Sequence, residues 1–205
     1  MGPGSATDLD VTLARVAGKI GLGVWFVAML ALGVTLLARH LVALPAPPND
    51  AQLANAMGSL RTPAEAGRWM AIHVLDAQCG CSRRIADHVM ATVRPSDLAE
   101  HVLLVGHDAP LEARLARKGM PITEVTEAEL VGRYHAQAVP MLLVVAPDGT
   151  LPYVGGYTDR KQGPAPRDLE IIEAARAGRD LPALPILGCA VGERLKDSLN
   201  PLGVP

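Results

Sequence analysis

Three cysteines carry the reactive chemistry of this 205-residue chain, and two of them stand one residue apart in Asp76-Ala77-Gln78-Cys79-Gly80-Cys81-Ser82-Arg83-Arg84. Thiols at that spacing can form a redox pair, clip a soft metal ion, or be neighbours with no shared chemistry. The run WMAIHVLD (69–76) before them reads as a strand and Ser82 to Val93 after them as a helix. Cys79 is therefore expected to end a strand and Cys81 to open a helix. Unpartnered backbone N–H groups and the positive end of a helix dipole gather at such a place, and Arg83 and Arg84 add charge. All of these favour the thiolate, the species that attacks a disulfide. Cys79 is assigned as the nucleophile and Cys81 as the resolving thiol, with Gly80 supplying the backbone freedom for a tight ring across one residue.

The remaining candidates have plainer alternatives beside them. His73 lies six residues before Cys79 on the same strand; its imidazole suits proton acceptance near neutral pH, and equally suits a half-buried histidine with a satisfied hydrogen bond. Asp76 is a possible proton relay, although an aspartate that starts a turn explains it more simply. Cys189 sits in LPILGCAVGERLKDSLNPLGVP, where it reads as a small buried hydrophobe ahead of a short helix over 191–199 or as a third redox thiol. The odd cysteine count leaves at least one thiol unpaired within the chain.

The elements that would position these residues follow in regular alternation. Strands are expected at 69–76, 101–107, 121–125, 141–146 and 151–156, the last two joined by Pro147-Asp148-Gly149. Helices are expected at 82–93, 111–119 closed by Gly119, 127–135 and 166–179. This order implies an α/β domain with a largely parallel centre and an antiparallel hairpin at one side. The fold class is α/β, a central mixed sheet flanked by helices and preceded by one apolar helix.

That helix is the run Ile20 to Ala38, 19 residues without a charge, long enough to cross the hydrocarbon core of a bilayer. It exceeds the usual apolar stretch of a cleaved signal, so an uncleaved anchor is expected. Arg15 and Lys19 precede it and only Arg39 follows closely, which favours a cytoplasmic N-terminus and a soluble part in an oxidising, periplasm-like space. The expected organisation is a cytoplasmic segment 1–19, an anchor 20–40 in the inner membrane, and a proline-rich linker with a short helix 41–67 capped by Asn49 or Asp50. A domain over 68–180 and a C-terminal extension 181–205 complete it. A net charge of −2 gives no basic face for nucleic acid.

A hydrophobic strand, a cysteine motif opening a helix, a strand–helix–strand, a Val-Pro step and a hairpin resemble the thioredoxin-like superfamily. The extra strand–helix–strand resembles its membrane-anchored TlpA-like branch, and Tyr134 to Tyr157, YHAQAVPMLLVVAPDGTLPYVGGY, is similar to that family's proline-and-glycine segment. Cys-x-Cys departs from the usual Cys-x-x-Cys and resembles a RedB-like group. The resemblance implies a cis-proline at Val139-Pro140 that faces the cysteines and lets the preceding backbone pair with a peptide. It places a proton-transfer residue at His73. It also implies a thiol-disulfide oxidoreductase working on protein dithiols or disulfides with an upstream redox donor and no cofactor or metal. Two other classes remain. One is a Cu(I)-handling protein using the thiolates with His135 and Met141, for which the spacing is wrong; the other is a non-catalytic binding module.

Overall fold

The computed structural model describes residues 5–160 and 165–199, with the side chains of 5–14 and 36–41 left undescribed. The chain divides into two compact units, Met1–Val42 and Ala43–Pro205.

The first unit is helix α1 (Ser5–Leu41). Its stretch Arg15–Thr35 has a mean hydropathy of 1.8 and none of it is buried. At about 1.5 Å per residue those 21 residues extend roughly 31 Å, close to the thickness of a bilayer's hydrocarbon core. By length and composition this helix is long and apolar enough to cross a membrane.

The second unit opens with α2 (Ala51–Gly58), capped by Asp50, whose carboxylate accepts from the Leu53 N–H at 2.9 Å. It continues through β1 (Trp69–Asp76), α3 (Gly80–Ala91), β2 (Leu98–Val105), α4 (Ala109–Arg117), β3 (Ile122–Val125) and α5 (Glu127–Tyr134). After these come β4 (Ala138–Val139), β5 (Met141–Val145), β6 (Tyr153–Gly155), α6 (Asp168–Arg176), β7 (Cys189–Ala190) and α7 (Glu193–Leu199). Five strands form one mixed sheet in the order β3-β2-β1-β5-β6. β1, β2 and β3 run parallel, whereas β5 and β6 join antiparallel. A parallel half and an antiparallel hairpin with helices on both sides make this a thioredoxin-like α/β fold.

β1 lies at the centre and is covered on both faces, which explains why its sequence is a nearly continuous apolar run. Strand alternation sends Met70, Ile72 and Val74 to one face, against Leu53 and Met57 of α2 and Leu130 and Tyr134 of α5. Ala71 and Leu75 go to the other, against Ile85, Ala86 and Val89 of α3, Leu115 of α4 and Ile171 and Ile172 of α6. The linker helix and the C-terminal tail thus belong to the same packed unit as the sheet. Leu53, Met57 and Val191 have no exposed surface, and Ile186 has 1%.

The tail is tied by two contacts that the sequence does not announce. Leu44 and Ile186 form an isolated antiparallel bridge. β7 pairs antiparallel with β4, with Ala138 opposite Ala190 and Val139 opposite Cys189. The closing helix over 166–179 is shorter than expected, Asp168–Arg176, with Gly178 just beyond its end at φ +63°. Gly119 closes α4 at φ +75°, a conformation that glycine adopts without a Cβ clash.

Candidate functional site

The segment from β1 to α3 is a stapled turn. Asp76 starts it: its carboxylate accepts from the Gln78 N–H at 2.7 Å, and its carbonyl from the Cys79 N–H at 3.2 Å. Its own N–H donates to the Ser82 hydroxyl at 3.0 Å, which draws the first turn of α3 back onto the strand end. Asp76 is thus a turn former. The Arg83 guanidinium donates to the Ala77 carbonyl at 3.2 Å and to Asp108 at 3.3 Å. β1 ends at Asp76, so Cys79 is the N-cap of α3 and does not end the strand; no side chain caps this helix. Cys81 falls within its first turn.

The sulfur chemistry differs from expectation. Cys79 is bonded to Cys189 across 110 residues, with 6.2 Å between their Cα atoms, and Cys81 is a free, partly exposed thiol. Cys189 is therefore a disulfide partner and not a small buried hydrophobe. The cause lies in the tail: β7 sets Cys189 opposite Val139, and that register brings it within disulfide reach of the α3 N-cap. Gly80 has a negative φ and open space around its Cα, so no tight ring requires it here. Gly188, next to the bonded Cys189, does require glycine. A Cβ there would lie 1.9 Å from the Val139 carbonyl oxygen and 2.5 Å from the Pro140 Cδ.

The Val139–Pro140 peptide bond is cis. Pro140 and Cys81 line one cleft together with Arg84, Ile85, Tyr157 and Leu187, enclosing about 100 Å³. Cys79 itself is 2% exposed and faces the α2 and α5 side of the sheet.

His73 is on the opposite face of β1 and is held from both ends. Its Nδ1 lies 2.9 Å from the Tyr157 hydroxyl and its Nε2 lies 3.1 Å from Glu100. The network continues from Glu100 through a bidentate contact to Arg94, from Arg94 to Asp168, and from Asp168 to His88 at 2.9 Å. His73 thus connects to the cleft through Tyr157, which lines it. Two hydrogen-bonding patterns fit this geometry. A neutral imidazole donates from Nε2 to Glu100 and accepts the Tyr157 proton at Nδ1. An imidazolium donates from both nitrogens, and Tyr157 then donates to the Met141 carbonyl at 3.3 Å. Burial alone would push the Glu100 carboxyl up, but the hydrogen bonds from His73 and Arg94 outweigh it and hold it down at about 2. Burial keeps the Tyr157 phenol well above its ordinary value.

Sequence reasoning missed Tyr157, Glu100 and Arg94. The Gly188-Cys189 step and the odd cysteine count were the available signals for the tail. Among the described residues, no cluster of His, Cys, Asp and Glu with metal-ligand spacing contains a cysteine or His135. His135 caps α5 in the left-handed conformation, Met141 is buried in β5, and Cys79 is already oxidised. Among the described residues, the side chains that converge with metal-ligand spacing are His107, Glu112 and Glu124, a nitrogen–oxygen set without sulfur.

No protein-family model matches the chain, and no curated protein matches it. Among solved structures it is similar to an uncharacterised conserved protein from Geobacillus kaustophilus, at 18% identity over 62% of this chain and 78% of that one, with a TM-score of 0.46. A hypothetical protein from Sinorhizobium meliloti is 15% identical over 74% of this chain and 96% of its own, TM-score 0.44. A thiol:disulfide interchange protein of the thioredoxin family from Chlorobium tepidum is 18% identical over 55% and 82%, TM-score 0.39. The strand order and the connections between strands establish the fold of this chain as thioredoxin-like.

Proposed function

We propose that this chain is a membrane-anchored thiol-disulfide oxidoreductase, held in the inner membrane by α1, whose second unit exchanges disulfides with protein dithiols on the periplasmic side. The observation that carries the reading is the placement of a disulfide at the N-cap of α3, with a free thiol two residues on. A thiolate is a better leaving group where helix N–H groups stabilise it, so Cys79 is the sulfur on which exchange turns. Cys81 is the second thiol of the site and Pro140 a wall of its cleft. His73 exchanges a proton with the cleft through the Tyr157 hydroxyl.

In the exchange, a client thiolate attacks a sulfur of the protein disulfide, the other sulfur leaves as a thiolate, and the client's second thiol resolves the mixed disulfide. Two electrons pass from client to protein, which an upstream dithiol–disulfide partner removes again. The reverse direction uses the same steps. Arg15 and Lys19 ahead of the apolar run support a cytoplasmic N-terminus, and a disulfide persists in the oxidising space beyond it.

The test is trapping. A Cys81→Ser/Cys189→Ser variant leaves Cys79 with no internal resolving thiol and is expected to accumulate mixed disulfides with periplasmic proteins through Cys79. A variant that forms no adduct, from a parent protein that purifies with stoichiometric Cu(I), would refute the reading.

A further inference from the structure

A cysteine that bonds Cys79 must bring its Cα within about 4.4–6.8 Å of the Cys79 Cα, and Cys189 already stands there at 6.2 Å. The backbone flanking that position belongs to β4, whose Val139 and Ala138 are paired with the tail. The Val191 and Gly192 N–H groups extend the pairing by donating to the Gln137 carbonyl at 2.7 and 3.2 Å. An extended peptide carrying its own cysteine to Cys79 would satisfy the same backbone groups by strand addition. Tail and incoming peptide therefore compete for one edge. With the tail in place Cys79 is 2% exposed, so an outside thiolate meets a covered sulfur.

We propose that residues 186–191 act as a tethered substrate-like strand, with Cys189 as a third redox-active sulfur that Cys81 releases by internal exchange. The proposal rests on the thiol-disulfide reading above. The Cys81 thiolate attacks the Cys79 sulfur. A Cys79–Cys81 bond forms as the Cys79–Cys189 bond breaks, and Cys189 leaves as a thiolate that takes a proton from water. Nothing is oxidised or reduced overall. The tail is then held without a covalent tie, by strand pairing, by the buried Ile186 and Val191 and by the Lys196–Glu127 ion pair, and a client strand can take its place. Gly188 is the contact that lets the tail lie against Val139 and Pro140, since any side chain there would strike both.

The test uses the full chain in detergent micelles, a strand-forming peptide with two cysteines as the probe, and disulfide mapping by mass spectrometry. The oxidised parent is expected to hold both Cys79–Cys189 and Cys79–Cys81 species, whereas Cys81→Ser holds only the former. Gly188→Val, which keeps all three cysteines, is expected to be reduced by the peptide at least about tenfold faster than the parent, about 1.4 kcal/mol in barrier. Cys189→Ser, which removes the tether without the clash, should be faster as well. Equal and measurable rates in the parent and both variants, or a parent in which Cys81 is the free thiol in every molecule, would overturn the tail's role alone. No reaction in any of the three would instead overturn the exchange reading on which it rests.

Discussion

The two faces of β1 do different work. On one, Met70, Ile72 and Val74 pack among apolar side chains with Cys79, and the disulfide lies at the rim of that layer. On the other, His73 sits within a buried chain of charged groups, Glu100, Arg94 and Asp168, between α3 and α6. Alternation along a single strand thus separates the sulfur from the charged, hydrogen-bonded network, and Tyr157 both bonds His73 of that network and lines the cleft. Burying two carboxylates and a guanidinium is costly unless every partner is present. A face with that cost beside a purely apolar one is the reverse of what stability alone would select.

The largest effect should come from breaking the charged face. Arg94→Leu leaves Glu100 and Asp168 without their shared partner, both side chains being under a tenth exposed, and is expected to cost about 3–5 kcal/mol in denaturant unfolding. A loss under about 1 kcal/mol would mean that the network is not held together by that guanidinium.

The acid limb of the stability curve comes next. The Glu100 carboxyl is depressed in the folded state to about 2. Its contribution is therefore present above its unfolded value near 4.5 and is lost as pH falls from there toward 2. Glu100→Gln should flatten the fall in melting temperature across that window, and an unchanged acid limb would count against the assigned hydrogen bonds.

The smallest change sharpens the link between the faces. Tyr157→Phe removes one hydroxyl and its hydrogen bond, about 1 kcal/mol of stability, yet it should shift the pH profile of peptide exchange because His73 loses its path to the cleft. A profile that follows the parent's would confine His73 to a structural role.

Much of the fold was legible because β1 and its neighbours are long apolar runs bounded by turn residues, and WMAIHVLD matches β1 residue for residue. The Val139-Pro140 step and the cysteine-bearing helix start were legible for the same local reason: each is written in a few consecutive residues. The partner of Cys79 was not. β7 is two residues long, Cys189-Ala190, and its pairing with β4 joins segments about fifty residues apart through backbone groups that leave no side-chain pattern. The partners of His73 were hidden for a related reason, since Glu100 comes from β2, Arg94 from the loop before it and Tyr157 from the segment after β6. The position of His73 in a strand is local, whereas its hydrogen bonds depend on packing between elements far apart in the chain.

The central claim, that the disulfide at Cys79 is a working one and not a brace for the tail, is tested most directly by a redox titration of the full chain with alkylation and peptide mapping of Cys79, Cys81 and Cys189. A two-electron transition at Cys79 between roughly −120 and −270 mV is the predicted result, because disulfides that exchange with clients lie in that range. A Cys79–Cys189 bond that persists below about −300 mV, with Cys81 free throughout, is the behaviour of a structural disulfide and would contradict the account.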